Sequence, residues 1–268
     1  MGWTTFYFVY SRDRSPPFAR GGIPAPVNRP FRPHTEDCLK KVHRLALLLL
    51  FSFAMFASAE NDSPYEEKIL TAARTAEPIR MDGVLSEPVW EKAIPATGFR
   101  QADPSEGASA TEDTRVFVAY DTHNLYIAVL CRESDPSAIV ASELVYDGAV
   151  GNDDHFEFVI DTFNDKRNAF YFAINPNGAR LDGKLSSASG NVGTVNRDWN
   201  GIWDVATRIG PEGWIAEFVI PFRTLRFPDV PVQTWGINFK REMMAKREES
   251  LWTGWRRNDN VFQLSTAG

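Results

Sequence analysis

The residues of this chain whose types and spacing speak most directly of chemistry are its carboxylates. Asp153, Asp154, Glu157, Asp161 and Asp165 crowd one short stretch, and such sets can bind calcium, a hard cation that takes about six to eight oxygen ligands. The spacing is not that of an EF-hand loop. Along an extended strand Glu157 and Asp161 stand roughly 13 Å apart, at about 3.3 Å per residue, too far for one ion. Asp161 and Asp165, across the turn DTFNDKRN, are therefore the candidate calcium pair. The competing reading is a solvated acidic turn balanced by Lys166 and Arg167. Glycoside hydrolysis would need two carboxylates roughly 5–9.5 Å apart on a cleft. No pattern selects two here, so no catalytic residue is assigned. Zinc fits poorly, because the widely separated His123, His155 and Cys131 show no ligand spacing.

The chain that must position these groups begins unusually. Leu39–Glu60 has the build of a complete export signal: Lys40, Lys41 and Arg44, then the apolar run Leu45–Phe56, then the small residues of Ala57-Ser58-Ala59. The run is too short to span a bilayer, which takes about 20 apolar residues. Residues 1–38 are rich in Arg, Pro and Gly and show no apolar period, so they read as a non-native or disordered extension. Translation from Leu39, read as Met, is the sharper of two readings; a genuine basic arm is the other. The expected organisation is extension 1–38, signal peptide 39–59, linker 60–77, one domain over 78–255 and a tail 256–268.

Cleavage after Ala59 changes the charge. The whole chain has 29 basic and 35 acidic residues. Residues 1–59 hold eight basic and three acidic ones, so the remainder carries 21 and 32, a net charge of −11. Such a surface repels phosphate backbones, and no nucleic-acid partner is expected. Cys131 is the one cysteine left, so no internal disulfide can form. It sits in the apolar run LYIAVLC, where a buried structural thiol is the ordinary reading.

The elements read as strands. TRVFVAY and NLYIAVLC flank Asp121-Thr122-His123-Asn124 and predict a hairpin. HFEFVID and AFYFAIN alternate at period two, with Phe156, Phe158 and Ile160 on one face and His155, Glu157 and Asp161 on the other. Asn175-Pro176-Asn177-Gly178 turns into ARLDGKL, and WDVATRI, GWIAEFVIP, WGINFKRE and SLWTGW follow. EPVWEKA is at most a short helix. Nine or so strands with polar turns predict an all-β fold, a jelly-roll-like β-sandwich.

These segments, in this order, resemble a known family. IRMDGVLSEPVWEKA is similar to the opening of a family 9 carbohydrate-binding module. The resemblance continues through TEDTRVFVAYDTHNLYIAVLCRESDP, DDHFEFVIDTFNDKRNAFYFAINPNG, DWNGIWDV, GWIAEFVIPFRTLRF and WGINFKRE, from Ile79 to about Trp255. It is nearest to the version that precedes an outer-membrane β-barrel in large exported proteins, and FQLSTAG resembles the opening of the region leading to that barrel. The resemblance implies a β-sandwich that binds a polysaccharide or oligosaccharide without cleaving it, with calcium bracing loops. It also implies a place in the periplasm or at the outer membrane, beside such a barrel. Because these modules are often fused to hydrolases, a glycoside hydrolase label can travel with them.

In the family, aromatic side chains sandwich a sugar ring. An indole suits this because its flat apolar face matches the C–H face of a pyranose, while polar neighbours bond the hydroxyls. Trp214 and Trp235 alternate with apolar strand residues and read as core. Trp90, after the Asp-Gly turn, is expected to plug an end of the sandwich. Trp199, Trp203, Trp252 and Trp255 are the platform candidates, with core packing as the alternative for each. Asp198, Asn200 and Arg256 are the neighbours that would bond hydroxyls. Two other readings stand beside this one. The sandwich superfamily includes haem-binding domains, for which His123, His155, Met81, Met243 and Met244 are the available axial ligands. A structural or interaction role without tight sugar binding is the other.

Overall fold

The hairpins expected from alternation are present in this computed structural model. It describes residues 4–9 (backbone only), 68–187, 193–257, 261–262 and 264. The signal-like segment 39–59 lies outside the described residues. By its contacts the chain forms two units, 13–63 and the remainder. Only the second contains described residues, and all that follows concerns it.

Strands β1 (Thr4–Val9), β2 (Ile69–Thr71) and β3 (Ala73–Arg74) precede a short helix α1 (Pro88–Lys92). Then come β4 (Arg100–Asp103), β5 (Thr114–Tyr120), β6 (Asn124–Arg132), β7 (His155–Asp161), β8 (Asn168–Ile174) and β9 (Arg180–Ser186). The last are β10 (Thr194–Asn196), β11 (Asp204–Gly210), β12 (Gly213–Pro221), β13 (Val232–Met243) and β14 (Glu248–Leu251). One sheet runs β10-β9-β8-β7-β13, and the far edge of β13 is shared by β1, which leads to β2, and β14, which leads to β4. The second sheet runs β11-β12-β6-β5-β3. The fold is a two-sheet β-sandwich. β1–β3 lie within stretches expected to be extension and linker, yet they join its sheets.

Between the sheets the aromatic residues interlock. Phe158 of β7 stacks on Phe172 of β8 and meets Phe218 of β12 edge-on, both at 5.1 Å, so one ring ties the two sheets together. Trp214 and Trp235 are buried in this core, as their alternation predicts. So is Cys131, whose thiol burial pushes up to about 12, well out of reach of ordinary thiolate chemistry.

Both sheets are also covered on their outer faces. Every residue of β7 is buried, including His155, Glu157 and Asp161 on the face that alternation sets opposite Phe156, Phe158 and Ile160. Val261 and Leu264 pack with Val159, Tyr171, Leu181 and Leu185 on that side. Glu157 is accommodated there by Lys240 Nζ, 3.1 Å from Oε1, and by the Tyr171 hydroxyl, which donates to Oε2 at 2.5 Å. Burial alone would raise the Glu157 carboxyl; the Lys240 ammonium brings it below its usual range. Trp90 likewise departs from expectation. Instead of plugging an end, it lies on the outer face of the second sheet, buried with Ala119, Tyr126 and Ala128 and edge-on to Phe117 at 6.5 Å. The Asp-Gly turn before it is held by the buried Glu217, whose carboxylate accepts from the N–H groups of Asp82 and Gly83.

Candidate functional site

Strand β9 organises the site. Period two turns Leu181 and Leu185 outward into the second apolar cluster. Arg180, Asp182, Lys184 and Ser186 therefore share the inner side, opposite Ile174, Phe172, Phe170 and Asn168 of β8. The seven residues from Arg180 to Ser186 span about 20 Å. The loop between β10 and β11 folds across this row.

Asp182 anchors that loop. It is fully buried, and its Oδ2 accepts from the Gly201 N–H at 2.7 Å and from Trp203 Nε1 at 2.9 Å. Its Oδ1 accepts from the Tyr146 hydroxyl at 2.7 Å, which also stands 3.3 Å from Asn200 Oδ1. Burial, and then the neighbouring Asp182 carboxylate, raise the Tyr146 phenol above its ordinary range, so Tyr146 remains a neutral donor. Gly201 has to be a glycine. A Cβ there would meet the Trp199 ring at 2.8 Å and Asp182 Oδ2 at 3.0 Å.

The rings around Asp182 differ in role. Trp203 is only 7% exposed, stacked on Phe218 at 5.9 Å and edge-on to Phe172 at 5.2 Å. It belongs to the core, which corrects its expected place as a platform. Its ring direction is fixed by Asp182, not by strand alternation. Trp199 is half-buried, with its ring 5.2 Å from Phe170 and 5.6 Å from Lys184 Nζ. Tyr146 is exposed. Arg180 lies over the rings of Tyr146 (5.4 Å) and Trp203 (5.6 Å), and its Nη1 donates to the Trp203 carbonyl and to Asp204. Asp198 and Asn200 are exposed on the same loop.

The second tryptophan group is elsewhere. β8, β7 and β13 separate β9 from β14, four strand spacings or about 19 Å. Trp252 is 3% exposed, packs on Phe239 at 5.3 Å and donates from Nε1 to the Thr97 carbonyl. A ring so enclosed cannot receive a sugar, so this candidate too is corrected to core. Trp255 is half-buried beneath Arg100, whose guanidinium carbon is 5.8 Å from its ring, and against Gly107. Arg256 is exposed beside it.

Asp161 and Asp165 share the expected turn, Asp161 buried and Asp165 exposed, and both accept from backbone N–H groups of that turn. Asp161 accepts from the N–H groups of Phe163 and Lys166, and Asp165 from those of Arg167 and Asn168. Among the described residues no group of three or more His, Cys, Asp or Glu side chains is placed to hold a metal ion. Of the residues weighed for haem, His155 is buried, its ring nitrogens facing the Asp153 carbonyl (2.9 Å) and Glu242 (3.4 Å).

Residues the sequence reading passed over complete the site: Tyr146, Arg180, Asp182 and Lys184. The last three, with Ser186, were detectable as polar positions two apart in a strand whose intervening positions are Leu, Gly and Leu.

No family model matches the chain, and no curated protein matches it. Among solved structures, a family 9 carbohydrate-binding module from Caldicellulosiruptor kristjanssonii in complex with glucose is 15% identical, with a TM-score of 0.48, covering 74% of this chain and 92% of that one. A family 9 module from the same organism in complex with cellotriose is 14% identical at a TM-score of 0.44, covering 68% and 87%. A protein of Bacteroides uniformis ATCC 8492 assigned to carbohydrate binding is 15% identical at 0.48, covering 69% and 88%. Likeness at this level identifies neither ligand nor family.

Proposed function

We propose that this chain is a non-catalytic carbohydrate-binding module whose site lies along the inner side of β9. The observation that carries the reading is the pair of accessible rings, Trp199 and Tyr146, held around one buried carboxylate together with Asn200 and Arg180. A half-buried indole still offers its accessible face to the C–H side of a pyranose, and fixed polar groups nearby give the sugar an orientation. The resemblance of the sequence to family 9 modules supports the same assignment. Export to the cell envelope, beside an outer-membrane barrel, belongs to this reading and is supported by the signal-like Leu39–Glu60 and by the likeness of FQLSTAG to a barrel-bearing relative's next region.

The test is calorimetry against neutral cello- and xylo-oligosaccharides. Trp199→Ala is expected to weaken binding about tenfold, the equivalent of about 1.4 kcal/mol and near the upper end for an aromatic contact. Equal binding by wild type and variant would remove Trp199 from the site. Failure of every glycan to bind would instead favour an interaction domain, a reading supported by the exposed Leu144, Val145 and Ile202, at 74%, 65% and 60%.

A further inference from the structure

Beyond Lys184, the row on β9 runs into a pocket of about 190 Å³. Its walls include Phe163 and Phe170, with Asn168, Ser186, Lys184 and Arg226 around them. The space equals about six liquid-water volumes, well below the roughly 300–1,000 Å³ of a drug-sized site, so it suits one small ring or substituent. Two cations line it. Among its described lining residues there is no aspartate or glutamate. The acids of the adjoining turn are directed to backbone N–H groups, as described for Asp161 and Asp165. Arg226 also lines a second cleft of about 620 Å³, with His123, Arg223 and a single acid, Asp229. A chain rich in acids thus gathers positive charge at one end of the sandwich.

We propose that this pocket is a subsite for an acidic sugar residue, a uronate or a sulfate ester, of the same saccharide that rests on Trp199. The proposal rests on the carbohydrate-binding reading and deepens it. Lys184 connects the two places. Its Nζ lies 5.6 Å from the Trp199 ring and 6.0 Å from the Phe170 ring, so a saccharide on Trp199 meets the ammonium as it enters the pocket. Phe163, exposed at the pocket's rim, presents an apolar face to the sugar's C–H side above the buried Phe170, Asn168 and Ser186 offer polar atoms to hydroxyls, and Lys184 and Arg226 pair with the anion. The chain's overall negative charge does not oppose this. At physiological ionic strength charges beyond about 8 Å are largely screened, so a ligand in the pocket responds to the groups that line it.

Calorimetry at low and physiological salt would compare an oligogalacturonide, a sulfated cello-oligosaccharide and a neutral cello-oligosaccharide of equal length. The variants would be Arg226→Gln and Trp199→Ala, each checked for an unchanged melt. Arg226 is exposed, and the Thr162 hydroxyl bonds its backbone carbonyl, so the substitution leaves that contact in place. We expect at least one acidic glycan to bind about tenfold tighter than the neutral one, to weaken as salt rises, and to lose about tenfold in Arg226→Gln, as befits one charge-assisted hydrogen bond. The neutral glycan should be indifferent to Arg226→Gln and sensitive to Trp199→Ala. Which acidic glycan binds decides between carboxylate and sulfate. Neutral and acidic glycans binding alike would overturn the acidic subsite while leaving the carbohydrate reading intact. Acidic binding insensitive to Arg226→Gln would overturn the pocket as its location, and no binding by any of the three would overturn both proposals.

Discussion

The loop carrying Trp199 and Trp203 and the segment carrying Trp252 and Trp255 each hold one enclosed ring and one half-buried ring. They are fastened by opposite means. Asp182 reaches up into the first and is met by N–H and O–H donors, leaving ring faces and hydroxyl partners at the surface. The second is tied down by donors aimed at its own backbone and by its own indole: Asn238 Nδ2 donates to the Thr253 carbonyl, Lys68 Nζ to the Trp252 carbonyl, and Trp252 Nε1 to the Thr97 carbonyl. A tryptophan near the end of a strand is thus no guide to binding by itself. What the surrounding polar groups are spent on decides it.

The sharpest way to break this comparison is Trp252→Ala. Loss of a ring this enclosed is expected to cost about 3–5 kcal/mol of stability, with sugar affinity per folded molecule unchanged. Denaturant unfolding and calorimetry on the same sample would show it, and lost affinity in a folded variant would make the second segment part of the site. Next in size is Asp182→Ala. It strands buried donors on the first loop and is expected to cost on the order of 3 kcal/mol while abolishing sugar binding. Asp182→Asn, which restores an acceptor, should recover part of both; if it recovers stability alone, the carboxylate's charge matters to the ligand. The smallest effect concerns pH. Burial would raise the Glu112 carboxyl, but hydrogen bonds from Lys246 and Ser134, with the Lys246 charge, hold it at about 2 against an ordinary 4.5. A lowered carboxyl in the folded state stabilises fully above about pH 4.5 and loses that contribution as pH falls toward 2. Glu112→Gln should flatten that acid limb in thermal melts, and an unaltered limb would show that the pairing of Glu112 with Lys246, beside this segment's strands, contributes nothing.

The hairpins were legible in the sequence because β5 to β9 and β11 to β13 alternate cleanly between turn signals. The covered outer faces were not. Their burial depends on residues brought from far along the chain, Val261 and Leu264 on one side and Trp90 on the other, and period two says only which residues share a face. The site divides in the same way. Trp199, Asp198 and Asn200 could be picked out from a loop rich in Asp, Asn and Gly, yet nothing local separates Trp199 from Trp203. That distinction comes from Asp182, seventeen residues before Trp199, and Tyr146, thirty-six before Asp182.

The alternation of β9 has an evolutionary meaning. Residues 181 and 185 pack into the outer apolar cluster, whereas Lys184 and Ser186 line the pocket. Substitution at Lys184 or Ser186 can redirect ligand preference at little cost to the scaffold, whereas Arg180 and Asp182, on the same side, hold the loop and substitution at the leucines loosens the strand. A one-residue slip of register would exchange the two sets, placing leucines where the saccharide should lie and charges where the fold needs leucines. Heritable variation in what this surface recognises is therefore expected to accumulate at positions 184 and 186 of one short strand.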